Sequence, residues 1–470
     1  MPNRSVLPGR FQVASRTGHV RTVLEAMAEK KDFYVPTDRI EPLDWLEDRV
    51  TEPGSLEGSA DQLPVVAVGV DGSYESVEAR PGMPSVRYGY IQTAAVMLRL
   101  DRYQELQSAR FIDPVALYKA HRSALVEIDF PTSGAYIREG VGIVDSWRES
   151  VYESFRTKSV SLSEVEISLL EQLFEVHGSP GQPAETLTIP RCPRPRCGQT
   201  NIEVPRTPVG CPGCGGVVYP TDILRIAEEV DDYSPNVTSL GRLMQVVEVL
   251  TLTAIIKLFW TRSRDLLTRM VFIADGPLAV FGTPAKLKTQ ILAYLQAMNH
   301  NGTMPYVCGV EKSGEFVEFA ETLGSYVEDT LEPGTLITVD DFVIQKVKNN
   351  PELVDYGQET YFGRKFFYYT KDRSMLVLTV PPDKGHPYGQ GVGQPEPTAY
   401  RSLPAILSAI DMTGSSMYRN AIVPIALAHN AAAYPVGVGT DVLRLAAREI
   451  LGLNAGEGKS SQLESLRGLR

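Results

Sequence analysis

Two apolar runs in the sequence each end in Asp-Gly, and together they limit what the chain can become. The first is Val65-Val66-Ala67-Val68-Gly69-Val70-Asp71-Gly72-Ser73, the second Met270-Val271-Phe272-Ile273-Ala274-Asp275-Gly276-Pro277. Short runs of β-branched and apolar residues predict buried strands. Each Asp then stands where its strand leaves the sheet, and the Gly permits a tight turn beside it. Ligands gather at such strand ends. Two carboxylates brought there from distant parts of one chain suit a hard divalent cation, Mg²⁺ or Mn²⁺. The plainer alternative is that each Asp caps a turn or a following helix.

A chain of 470 residues, 43% hydrophobic, can bury a large core in two or three folding units. Its net charge of −11 argues against a broadly basic surface, so contact with DNA requires a local patch or a basic partner. The longest apolar run, Val246 to Trp260, is broken by Glu248, Thr251, Thr253 and Lys257 and falls short of the ~18 residues of a membrane span. The start, Met1-Pro2-Asn3-Arg4, lacks the apolar core of a signal peptide. The expectation is a cytoplasmic protein without membrane contact.

Four of the five cysteines cluster as Cys192-x4-Cys197-x13-Cys211-x2-Cys214, with glycines following Cys197 and Cys214; Cys308 stands alone in an apolar run. This spacing predicts a tetrahedral Zn²⁺ site of the zinc-ribbon kind, closed by four protein ligands and therefore structural. The alternative is four reduced thiols in a loop.

The expected organisation is a charged segment over 1–60 with an amphipathic helix near Val20–Lys30, then a globular part over 61–190 and 220–453. A zinc ribbon over 191–219 interrupts it, and a disordered tail follows over 454–470. Val86 to Leu100 reads as an antiparallel return strand. Residues 113–176 read as mostly helical, 178–190 as a Gly/Pro linker, and Thr238 to Arg269 as a long apolar helix carrying Glu248. Strands are expected at Pro305–Val310 and Thr335–Val339, a hairpin at Arg364–Thr370 and Met375–Val380, a Gly/Pro loop over 381–397, and helices over 420–434 and 438–452.

In this order, strand-Asp71-Gly72-Ser73, a helix bearing Glu248, strand-Asp275-Gly276-x-Leu278, Gly309-Val310-Glu311-Lys312-Ser313, a late hairpin and Pro424-x-x-Leu427-Ala428-His429-x-x-Ala432 resemble the NurA nucleases. The resemblance covers roughly 63–180 and 238–450. It implies a ribonuclease-H-like mixed sheet flanked by helices, and a nuclease that resects DNA ends with Mn²⁺ or Mg²⁺. It also implies a homodimer docked on the hexameric ATPase HerA, in DNA end processing or anti-phage defence. By position, it makes Asp71, Glu248 and Asp275 the metal carboxylates, places His429 near the scissile phosphate and makes Lys312 a phosphate contact. The zinc unit departs from the family pattern, and the spacing from Glu248 to Asp275 is long, leaving Glu228, Glu229 and Asp265 as competitors. Segment 1–60 and the ribbon are the expected docking surfaces for the motor.

Phosphodiester cleavage needs these residue types independently: carboxylates for one or two ions, a His to orient water or protonate a leaving group, and a Lys for a phosphate oxygen. A carboxylate on the apolar face of a helix is costly unless paired or metal-bound, which singles out Glu248. Aromatic and basic residues mix in Tyr361-Phe362-Gly363-Arg364-Lys365-Phe366-Phe367-Tyr368-Tyr369 and continue to Lys371 and Arg373. Arg364, Lys365, Lys371 and Arg373 are therefore candidate DNA contacts. Two other functions fit less of the sequence. One is a Mg²⁺-dependent ATPase or kinase of the actin-like fold, which usually places a residue between Asp and Gly. The other is a non-catalytic zinc-ribbon adaptor, favoured if Glu248 lies apart from the two Asp residues.

Overall fold

The structure is a computed structural model and describes residues 24, 25, 27, 44–56, 63–107, 121–162, 164–299, 304–328, 330–383, 396–414, 422–434 and 438–453. Two compact units divide the chain, residues 1–48 and 49–470. In the first, residues 24, 25 and 27 and Asp44–Glu47 are helical. The rest of the expected N-terminal helix, most of the 381–397 loop and the tail beyond Leu453 lie outside the described residues.

The second unit is built on a nine-stranded mixed sheet. Its strands are β1 (Val50–Thr51), β2 (Val66–Arg80), β3 (Val86–Arg99), β4 (His121–Ser133), β5 (Met270–Asp275), β6 (Tyr306–Glu311), β7 (Leu336–Thr338), β8 (Arg364–Tyr369) and β9 (Met375–Val380). Their spatial order is β1-β7-β8-β9-β6-β5-β2-β3-β4. β2, β3 and β4 form an antiparallel meander; β5 runs parallel to β2, and β6 parallel to β5. These five strands have the ribonuclease-H-like arrangement, and β9, β8, β7 and β1 extend it antiparallel.

β4 occupies residues read from the sequence as helical. In it Ala124, Val126, Ile128 and Phe130 are buried while Leu125, Glu127 and Asp129 face out, the period of two that a half-covered sheet requires. The 1–60 segment is likewise not all separate from the sheet: Val50 and Thr51 pair with Ile337 and Leu336.

Helices cover both faces. Named in chain order, they include α1 (Ile143–Thr157), α2 (Leu169–Val176), α3 (Val237–Arg262), α4 (Leu287–Ala297), α5 (Glu315–Val327), α6 (Leu403–Thr413), α7 (Val423–Ala432) and α8 (Val438–Ile450). One core joins α1–α4 to Val68, Val70, Phe272 and Val307; the other joins α6 and α7 to Ala67, Val271, Ile273 and Val310. By length and composition α3 could cross a membrane, but here Leu243, Val246, Val247, Leu250 and Ala254 are buried in the first core.

Between α2 and α3 lies the cysteine unit. Two small hairpins, Leu187–Arg191 with Thr200–Val204 and Val209–Gly210 with Val217–Val218, enclose Ile189, Ile202, Val204 and Val218. Its first strand begins inside the stretch read as a linker. Arg148 on α1 anchors the exit of this unit: it is buried, donates to both carboxylate oxygens of Asp222 at 2.8 and 2.7 Å, and donates to Val217 O at 2.7 Å.

Candidate active site

The sheet register brings the two Asp-Gly motifs together. β2 and β5 pair from Met270–Val66 to Ala274–Val70, so Asp71 and Asp275 stand side by side one residue further on. Their local structures differ. Gly276 has φ +92° and turns the chain out of the sheet, with its N–H donating to Val310 O at 2.8 Å. Gly309 lets that turn lie flat, since a Cβ there would come within 2.3 Å of Gly276 O. At Asp71 no turn occurs. β2 continues for nine residues to Arg80, with Asp71 opposite Ala94 of β3.

Gly72 serves close approach instead. A Cβ on it would lie 2.7 Å from Met244 Sδ and 2.9 Å from Glu248 Oε1. Successive strand residues face opposite sides of a sheet. Asp71 and Gly69 therefore face α7, while Gly72 leaves a gap on the opposite side that Glu248 of α3 fills.

On the α7 side, Gly69 is again the enabling residue, because a Cβ would meet Pro424 O at 2.2 Å. The far end of α7 is held by Ser73 Oγ, which donates to Ala432 O, and by Gln92 Nε2, which donates to Ala431 O at 2.7 Å. Between these fixings, His429 Nδ1 lies 2.7 Å from Asp71 Oδ2. An ionised carboxylate only accepts, so Nδ1 carries the proton and Nε2 is left available. The His429 side chain is 60% exposed while Asp71 is buried, so the cluster opens to solvent through the histidine.

Asp71, Asp275 and His429 each offer a ligand atom, all within 4.8 Å of one another. Lys312, just after β6, donates from Nζ to Asp275 Oδ2 at 2.6 Å. Gly72 N–H donates to Asp71 Oδ1 at 2.8 Å. Burial first, then the Asp71 and Asp275 charges, push the Glu248 carboxyl well above its usual range, against the pull of the Gly72 N–H. Burial and Asp71 likewise raise Asp275, opposed by Lys312. Three carboxylates with one lysine beside them lack positive charge, and a divalent cation fits that deficit.

The competitors of Glu248 stand elsewhere: Glu228 pairs with Arg225, Glu229 with Arg242, and Asp265 is exposed on the short helix Arg264–Leu267 after α3. Nor are the expected DNA contacts all at the surface. Arg364 is buried, and so is Lys365, which forms an ion pair with Glu311 between the rings of Phe316 and Tyr361. The strand register puts both inside the sheet's cover rather than on an open face. Lys371 and Arg373, in the turn joining β8 to β9, are exposed and lie near Asp411 (3.4 Å) and Glu328 (3.9 Å).

Sequence reasoning passed over Gln245. One turn before Glu248 on α3, it lines the same cavity as Glu248 and Asp275, together with Leu252, Phe281 and Phe362. Its Oε1 is buried without a hydrogen-bond partner. Its position three residues before the acid was the available signal.

The four clustered cysteines also converge, with every Sγ within 4.8 Å of the others. Cys192 and Cys214 are 3.9 Å apart, Cys197 and Cys211 3.6 Å. Four thiolates at ~2.3 Å from one Zn²⁺ stand about 3.8 Å apart, so the group fits a tetrahedral ion. Burial opposes ionisation of Cys211, but the N–H groups of Gly213 and Cys214, with the neighbouring thiols, bring it down to about 7.

No family model matches the chain, and no curated protein matches it. Among solved structures, the chain is similar to the NurA nuclease from Sulfolobus solfataricus at 8% identity and a TM-score of 0.34, over 97% of this chain and 99% of that one. A second NurA structure is similar at 11% identity and a TM-score of 0.27, over 83% and 91% of the two chains.

Proposed function

We propose that the protein is a Mn²⁺- or Mg²⁺-dependent deoxyribonuclease. The observation that carries this reading is the convergence of Asp71, Asp275 and His429 within 4.8 Å, which Glu248 of α3 approaches from the other side of the sheet at Gly72. Asp71, Asp275 and Glu248 would hold the cation, with His429 beside them. A cation held there would supply Lewis-acid chemistry, a lower pKa for an attacking water and compensation of charge on the leaving oxygen. The chain supplies the rest. His429, open to solvent and fixed by Asp71, orients water or returns a proton to the leaving oxygen. Lys312, released from Asp275, holds a phosphate oxygen. Gln245 offers its free carbonyl oxygen to a water in the adjoining cavity.

DNA as substrate, a homodimer and a HerA-type hexameric motor follow from the ordered motif resemblance in the sequence, as does a role in end processing or phage defence. Zn²⁺ in the cysteine unit is proposed as a structural ion. The deciding experiment incubates the purified protein with linear DNA and Mn²⁺, with and without a HerA-type partner. Cleavage by the wild type and its loss by at least about 10³-fold in D71A and D275A, with unchanged circular dichroism, are expected. Equal cleavage by D275A and wild type would refute the site.

A further inference from the structure

We infer that the loop joining the first cysteine pair is a phosphate-backbone clamp for duplex DNA, built from Arg191 and Arg196. Residues 187–219 carry four arginines and one glutamate, in a chain whose net charge is −11. Three of those arginines fall in the six residues Arg191-Cys192-Pro193-Arg194-Pro195-Arg196, and all three are exposed. The two prolines fix the backbone φ between them, and Arg196 takes a left-handed φ of +67°. The arginines are therefore displayed from a rigid loop, which lowers the entropy lost when they grip a ligand.

The three are not equivalent. Arg194 lies across the second knuckle, where a Cβ on Gly216 would meet its Nε at 2.3 Å, and its guanidinium is 4.0 Å from Asp145. Its charge is therefore shared with Asp145 rather than left free for a ligand. Arg191 and Arg196 have no acidic partner among the described residues. Each projects a planar, permanently charged fork suited to two phosphate oxygens. Regularly spaced phosphates on a duplex are the chemistry that takes two such forks a few residues apart. The fourth arginine, Arg206, is already committed to Glu171 and the Phe174 ring.

The expected contribution is two phosphate contacts, each worth about −0.9 in the slope of log affinity against log salt. The test measures binding of wild type and of R191A/R196A to a fluorescent 30-base-pair duplex across a salt series, without added Mn²⁺ or Mg²⁺. No cleavage occurs in that assay, so its outcome does not depend on the nuclease reading. The variant should bind more weakly, with a slope shallower by about two, while zinc content and melting temperature stay at wild-type values. R191K/R196K should keep the slope. An unchanged slope with weakened binding to a HerA-type hexamer would overturn the inference in favour of a protein-docking role. Loss of zinc in R191A/R196A, or unchanged binding and slope, would overturn it as well.

Discussion

Glu248 ionises only at a cost in the metal-free protein, because burial and two neighbouring carboxylates oppose its charge. Its folded-state pKa lies above the unfolded value, so the stabilising preference for the neutral form is fully present below the ordinary carboxylate range. That preference is lost as pH rises through the raised value. Metal-free wild type should therefore lose stability with rising pH across this window. E248Q should lose less and be the more stable at neutral pH, by about 1.4 kcal/mol for every tenfold weakening of the acid on folding. Added Mn²⁺ should stabilise wild type and leave E248Q almost unmoved. Thermal melts of both proteins against pH, with and without Mn²⁺, check this; parallel curves for the two would remove the carboxylate cluster as the cause. Gln245 gives a second test at this scale. Replacing it with Ala should slow cleavage by about 10-fold or more while Mn²⁺ affinity, read by titration calorimetry, holds. Equal loss of both would make Gln245 part of the metal cage instead.

Among the elements, the sequence was readable where residue chemistry and local structure agree and unreadable where one residue type serves two ends. Gly276 and Gly72 follow identical Asp residues, yet only Gly276 turns; Gly72 is extended so that α3 can approach. Nothing local separates a glycine used for φ from one used for closeness. The strand β4 was obscured by helix formers around it, although Val126-Glu127-Ile128-Asp129-Phe130 alternates as a strand should. The burial of Lys365 depends on what α5 lays over one face of β8, and that of Arg364 on the cover of the opposite face, long-range facts no short window contains. By contrast the cysteine spacing, α3 with its Glu, and both strand-Asp motifs stood out because each pattern is local. These placements make a mutational contrast. G69A drives a methyl into the Pro424 carbonyl, which is backbone and cannot swing aside. It should cost about 1–3 kcal/mol and displace α7, taking His429 from Asp71. G72A meets the flexible ends of Met244 and Glu248, so it should melt near wild type yet lose activity. Denaturant titration and cleavage assays separate the two; equal stability losses would contradict the assignment. In the cysteine unit, C211S should release one zinc per chain and unravel both hairpins, because so few residues build little core without the metal. Retained zinc in C211S, measured by elemental analysis, would contradict that role.

For the whole molecule, charge and layout bear on how it meets DNA. A chain at −11 with its carboxylate cluster at one end of the sheet repels a polyanion over most of its surface. Two arginines in one knuckle can hold a duplex only weakly and with strong salt dependence. A second chain and a basic motor would supply the remaining grip, and avidity multiplies weak contacts when they act together. The N-terminal residues are the candidate docking element, but their boundary matters for the test. Val50 and Thr51 are an edge of the sheet, and Arg49 bonds Asp340 at 2.7 Å, so a truncation at residue 60 would damage the core as well as any docking surface. Removing residues 1–48 follows the division between the two compact units. That truncation should leave the melting temperature and Mn²⁺ binding unchanged and weaken assembly with a HerA-type hexamer by about 10-fold or more, read by light scattering and by cleavage in the presence of the motor. Light scattering of the intact protein should give twice the 51.7 kDa chain mass. A monomer that ignores the motor, or a truncated protein that assembles as tightly as the full chain, would sink this account of the assembly while leaving the metal site to its own tests.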